Sequence, residues 1–406
     1  KHLGQRRDVV NRVVDFFSLH SQQGNKFILT SRIVGYGQVK PTVEGLTECT
    51  LVDFGDEEIE LFITKWSRAI EIAARGDTPV AAQEADRERQ ELLAALKRNP
   101  GIRRLAANPL LLTVLALMKR QGVNLPERRA ELYEQYVRIL IHQWNLARGL
   151  GRSPDYLPDP NQVLKVLAPL ALWIHESSPG VGLVQEEDMR RHLLALFREA
   201  GVADEEAAAH RFIQDVRDYA NLLVERGHRE YGFLHLTFQE YLAGRALAQQ
   251  SQQSIEPVVQ ALSDHMEDDN WREVSLLAVG YLGVVQQRDE AAGAVLQALV
   301  ERQPGPPGAA VVLAGEALLD VWPGGVTENS RQIVVEHLHK TMQERTIQPR
   351  LRLRAGLLLA DLGELPPDLD EFVPIPARPE LPYDVGYDFQ MGKYPITNTQ
   401  YRRFFD

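Results

Sequence analysis

NLLVERGHREYGFLHLTFQEYLAGRAL, residues 221–247, decides how the rest of the chain is read. Two short apolar runs, 222–225 and 231–234, flank a turn containing Gly227, which is the pattern of a β-hairpin. His235 follows directly. Thr237 and Glu240 then have the spacing of a capping box opening a helix that buries Phe238, Tyr241 and Leu242. A helical block, a hairpin and a closing helix make a winged helix, a module that often reads DNA through its recognition helix. Here the helix opens with Glu240 rather than with basic residues, so no DNA partner is expected. His235 beside an aromatic cluster reads, from the residues alone, as a hydrogen-bonded core histidine.

Upstream the pattern is mainly helical. Val9, Val10, Val13, Val14, Phe16 and Phe17 fall at helical spacing, and Gly24-Asn25 supplies a stop. KFILTSR (26–32) has a continuous apolar centre with polar ends, which predicts a buried strand of a parallel sheet carrying Arg32 at its C-terminal edge. Arg32 is a candidate phosphate sensor, because its guanidinium is a permanent cation with a fork of donors; the alternative is a strand-edge arginine in a surface ion pair. TECTLVDFGDEEIELFITKW (47–66) predicts a short strand, then a helix from Asp56 burying Ile59, Phe62, Ile63 and Trp66. In GIRRLAANPLLLTVLALMKRQ (101–121), Asn108 and Pro109 form an N-cap and first-turn pair. LPERRAELYEQYVRILIHQW (125–144) repeats the device with Pro126 and stacks Leu132, Tyr136, Leu140 and Trp144.

Downstream, EVSLLAVGYLG (273–283), VVLAGEALLDV (311–321) and RLRAGLLLADLG (352–363) recur about every 36 to 41 residues, near the period of HEAT-like repeats. QPGPPG (303–308) and WPGG (322–325) fall between them as loops. An α-solenoid over 253–365 is expected, with a nonspecific helical domain as the alternative. Beyond ELPPDLD the helical pattern stops.

The bulk properties set limits. A chain of 406 residues with 44% hydrophobic and 25% charged side chains has a globular make-up, with length for roughly two to four domains. A net charge of -11 argues against a chain-wide nucleic-acid surface and favours a protein or small-molecule partner. With one cysteine, Cys49, no internal disulfide can form, and a reducing, cytoplasmic setting is expected. Apolar runs such as 110–118 are far shorter than the roughly 18 residues of a spanning helix, so no membrane partner is expected. Lys1 is not a methionine and no signal core follows, so the chain reads as a stretch of a longer polypeptide.

FILTSRIVGY after a helix, Phe62 and Trp66 in F-x-x-x-W, NPLLLT, LPERRAELYEQYV and FLHLTFQEYLAG occur in an order that resembles the NACHT branch of the STAND ATPases. The resemblance covers residues 9–247. It implies an ATP/ADP switch with Mg²⁺ in the intact protein: a sensor arginine matching Arg32 near the phosphates, a proline matching Pro109 near the adenine, and a winged-helix histidine matching His235 on the diphosphate of the resting form. It also implies homo-oligomerisation on activation and a place in bacterial conflict or antiviral defence. MGKYPITNTQYRRFF (391–405) is similar to the opening of formylglycine-generating-enzyme-like domains, which serve as cysteine oxidases, related metal-dependent enzymes or C-type-lectin-like binders, some diversified by retroelements.

The expected order is therefore the end of a P-loop-type α/β sheet (1–46), a helical domain (47–124), a winged helix (125–252), HEAT-like helices (253–365) and the start of an α+β formylglycine-generating-enzyme-like domain (366–406). No G-x-x-x-x-G-K-[ST] loop occurs, and the one Gly-Lys pair, Gly392-Lys393, precedes Tyr394. The chain thus carries lid and sensor features without a phosphate cradle, and no catalytic residue is assigned within it. Two classes remain: a nucleotide-gated switch, or the regulatory part of a metal-dependent enzyme or lectin-like binder.

Overall fold

A computed structural model describes residues 2–30, 40, 41, 43, 47–49, 51–149, 160–219, 222–366, 368–377, 387–397, 400, 401 and 403. Helix α1 (His2–His20) ends in a 3-10 turn closed by Gly24 in the left-handed region. The strand expected over 26–32 does not form in its described part: residues 25–30 carry no regular structure, and Ile28 is 91% exposed. A strand bonds only to neighbours, and among the described residues of 1–55 no other strand offers its backbone a partner. The short strand expected near residue 50 is likewise coil in its described part, with Leu51 94% exposed. Arg32 lies outside the described residues.

Helices then dominate. α2 (Asp56–Arg75) opens where expected: Glu58 accepts from the Gly55 amide at 2.9 Å, and three acids in the first turn complement the helix dipole. Ile59 and Ile63 are buried, and Phe62 and Trp66 pack at the core's edge. α3 (Pro79–Arg98) lies against α2, and α4 (Pro100–Ala106) leads to α5 (Pro109–Arg120). Asn108 caps α5 by accepting from the Leu110 and Leu111 amides at 3.0 and 3.2 Å, with Pro109 at the first helical position. α6 (Arg129–Gly149) begins three residues after Pro126, not at it, because Arg128 anchors the preceding loop on the Pro323 carbonyl at 2.7 Å.

The winged-helix segment adds α7 (Pro160–Ser177), β1 (Leu183–Gln185), α8 (Glu186–Glu199), α9 (Glu205–Tyr219), β2 (Leu223–Gly227), β3 (Glu230–Phe233) and α10 (Leu236–Gln249). The hairpin β2–β3 turns through Arg229, at φ 57°, and shifts register between Glu225 and Gly227. β1 pairs antiparallel with β3, giving the strand order β1-β3-β2. Glu186 ties this wing down, accepting from Arg229 at 2.8 Å and from the Tyr231 hydroxyl at 3.1 Å.

Beyond it lie α11 (Glu256–Asp264), α12 (Arg272–Gly280) with a π turn over Tyr281–Val285, α13 (Asp289–Arg302), α14 (Ala309–Val321), α15 (Glu328–Gln343) and α16 (Pro349–Asp361). α10, α12, α14 and α16 pack each on the next in one row; α11, α13 and α15 form a second. The three segments with recurrent spacing are α12 with its π turn, α14 and α16, all in the first row. The last winged-helix helix, α10, is thus also the first helix of that row. β4 (Phe372–Ile375) and β5 (Phe389–Gly392) form an antiparallel pair, and Lys393 and Tyr394 turn back onto Asp368, the tyrosine hydroxyl donating at 3.0 Å. Among the described residues no helix is long and apolar enough to cross a membrane.

Close approach of α10 to α12 depends on Gly244, where an added Cβ would sit 2.9 Å from the Ala278 nitrogen and the Val274 oxygen. Gly244→Ala should therefore force the two helices apart and cost about 1–3 kcal/mol. A thermal unfolding midpoint equal to that of the unsubstituted chain would show that this packing yields without strain.

Candidate functional site

Every residue of α10 from Phe238 to Ala248 is buried. Its exposed part is its N-terminus, and His235 stands there. The N-cap is His235 rather than Thr237: its Nδ1 accepts from the Thr237 amide at 3.2 Å, because Thr237 falls at the second helical position. Glu240, the other expected member of the capping box, is buried. His235 is itself exposed, with its ring edge-on to Phe238 at 6.3 Å, so it is a helix-end residue and not the core histidine suggested by its neighbours.

That bond has a chemical consequence. An Nδ1 that accepts cannot carry the proton of the neutral ring, so the proton resides on Nε2, and Nε2–H is the donor the neutral histidine presents. A helix N-terminus adds amide donors and the positive end of the dipole, the surroundings that favour an anion. Pro109 is also exposed at the N-terminus of its helix, and α5 and α10 both pack on α6. The structure places Pro109 and His235 at two helix starts around one central helix.

Behind His235 the interior holds charge. Glu134 of α6 accepts from the Tyr241 hydroxyl and from Arg245 Nη1, each at 2.5 Å, and all three side chains are buried. Arg138 adds a bond at 2.7 Å from the surface side, and Arg245 lies 4.9 Å from the centre of the Tyr281 ring. Burial alone would push the Glu134 carboxyl up; Arg245, Tyr241 and Arg138 outweigh it and hold the group below the usual range. Burial pushes the Tyr241 hydroxyl well up, so it remains a donor. Pattern reading missed this triad, although one signal for it was present: Arg245 is the sole cation in an apolar helix, and a cation there requires a buried carboxylate.

A shallow groove of about 640 Å³ also lies against α7, β1 and α8, lined by Trp173, Gln185, Asp188, Arg191 and His192 among others. The His192 ring stacks flat on Trp173 with centroids 4.5 Å apart, and burial pushes its imidazole below the usual range. Neither Pro109 nor His235 lines it. Among the described residues, no group of three or more His, Cys, Asp or Glu is placed to hold a metal.

Removing one partner of the triad strands a buried charge, so Glu134→Ala should cost about 3–5 kcal/mol. The pH dependence follows from the depressed folded-state value. Stability contributed by the ionised Glu134 is complete above its usual 4.5 and is lost as the pH falls through the lower folded value. Urea unfolding below pH 4.5 should therefore fall off more steeply for the unsubstituted chain than for Glu134→Gln; parallel acid limbs would contradict the assignment.

A family described as the winged helix-turn-helix domain C-terminal to NACHT matches residues 129–247, from the first residue of α6 to within two residues of the end of α10. No curated protein matches the chain. The matched segment is mainly helical with the three-stranded wing, and its similarity is to a domain that follows a NACHT-type NTPase core.

Proposed function

We propose that the chain is part of a NACHT-type ATP/ADP-controlled switch in which His235 holds the diphosphate of the resting form. The observation that carries this is the geometry at the start of α10: an exposed histidine at a helix N-terminus, whose Nδ1 accepts from the Thr237 amide. The family match over 129–247 supports the same reading. Pro109 would flank the adenine from α5, and Arg32 would approach the terminal phosphate of ATP. ATP, ADP and Mg²⁺ would be held chiefly by a phosphate loop, which residues 1–406 do not contain. The two helical rows would act as a HEAT-like solenoid that senses a protein or small-molecule trigger, with oligomerisation on activation and a role in bacterial conflict or antiviral defence.

A second reading attaches to residues 366–406. After the β4–β5 pair, the Thr397 hydroxyl accepts from the Gln400 amide at 3.2 Å, which suits the opening of a formylglycine-generating-enzyme-like or lectin-like domain. On that reading the helical part regulates a metal-dependent enzyme or a diversified binder. A cysteine pair following this segment would favour catalysis.

Residues 1–406 alone should bind Mg·ATP weakly and leave it intact, because phosphoryl transfer depends on the cradle and its metal. Calorimetry giving low-micromolar binding with turnover would place the phosphate site within these residues instead. In a polypeptide that supplies the loop, His235→Ala should speed ADP release by about 10- to 100-fold, the loss of one hydrogen bond to a charged group. Arg32→Ala should lower the response to ATP. Unchanged ADP release in the histidine variant would reduce His235 to a helix cap.

A further inference from the structure

The junction between α6 and the helical rows adds a set of ions to its apolar packing. Arg129, the first residue of α6, sends Nη1 to Glu273 of α12 at 2.9 Å and Nη2 to Asp320 of α14. Its Nε is buried with no acceptor, so these two carboxylates alone compensate the guanidinium. Burial works against its charge, and Asp320 and Glu273 together hold it protonated. Glu273 also takes Arg272 at 2.9 Å; Arg272 reaches Glu316 of α14 at 2.7 Å, and Glu316 takes Arg354 of α16 at 2.8 Å. One ladder of charge thus crosses three successive helices of the first row and ends on α6.

The fork of Arg129 is specific in what it measures. Its two nitrogens bond to two different helices, so both bonds survive only while α12 and α14 keep their spacing. Five residues further along α6, about 7.5 Å at 1.5 Å per residue, Glu134 grips Tyr241 and Arg245 of α10, the helix that His235 caps. α6 packs closely on α12 as well, since a Cβ at Gly280 would lie 3.0 Å from that of Ala130. We propose that Arg129 is a latch between the helical rows and α6, through which a change in the α12–α14 spacing reaches the helix that carries His235. The coupling stands on these contacts alone; its effect on nucleotide rests on the switch reading above.

Hydrogen exchange on the 406-residue chain, without nucleotide, tests it. Arg129→Ala should raise exchange at least tenfold in both α6 and α10 while α13 and α15 keep their protection, and Arg302→Ala, which breaks an exposed pair with Glu256 in the same array, should change none of these. Arg129→Lys keeps the charge but offers one ammonium for two carboxylates, so it should raise exchange in α10 by a smaller factor; if the alanine variant does not fold, this variant decides. Faster exchange confined to the first turn of α6, or α10 protection equal to that of the unsubstituted chain in both variants, overturns the latch. Faster exchange in α10 with normal ADP release by Arg129→Lys in a nucleotide-loaded polypeptide would keep the latch and sink the switch reading instead.

Discussion

The buried carboxylate of Glu134 is the constraint around which the centre of this structure is organised. A lone carboxylate in an apolar interior is not tolerated, so its ionised form requires donors placed with little freedom. Arg245 and Tyr241 supply them from one helix, four residues apart and therefore on one face. That fixes the rotation of α10 about its axis, and with it the direction of its capped end. Apolar packing alone, with Phe238 against Tyr133 and Tyr136, would allow many neighbouring arrangements. The charge selects among them.

The same helix answers to a second set of neighbours. Gly244 lets α12 approach to backbone distance on one side of α10, while Glu134 holds it to α6. A helix shared between a winged helix and a stacked row needs no linker to convey motion from one to the other. The join between α6 and the row combines the Arg129 fork with close packing of Ala130 on Gly280, and the α10–α12 contact at Gly244 is tight as well.

What the chain's pattern disclosed, and what it hid, divides along physical lines. Local devices were legible: the Asn108–Pro109 start, the Asp56 start and the hairpin around Gly227 each depend on a few adjacent residues. β1 was missed because three residues give no alternation to detect, and it exists only through its ladder to β3. The described part of the strand expected over 26–32 is irregular for the complementary reason, since an apolar run can announce a strand but cannot provide its partner. Arg129 and Glu134 carry no local signal of their roles, because the carboxylate and guanidinium they meet lie more than a hundred residues away. Long-range charge pairing leaves no period in a sequence.

His235 shows why a residue's role cannot be sorted by burial or exposure alone. The residues around it predicted a core histidine, and the resemblance predicted a diphosphate donor. The structure puts it at an exposed helix start, where its first duty is to cap. On the proposed switch reading, capping and anion binding would not compete, because the first would set up the second. By accepting at Nδ1, the ring keeps its neutral-form proton on Nε2, at a helix start whose amides and dipole suit an anion. A serine or asparagine would cap as well or better. Only histidine also presents a ring N–H on the far side of the same side chain, and that gives a physical reason for this residue at a position where simpler caps suffice for folding.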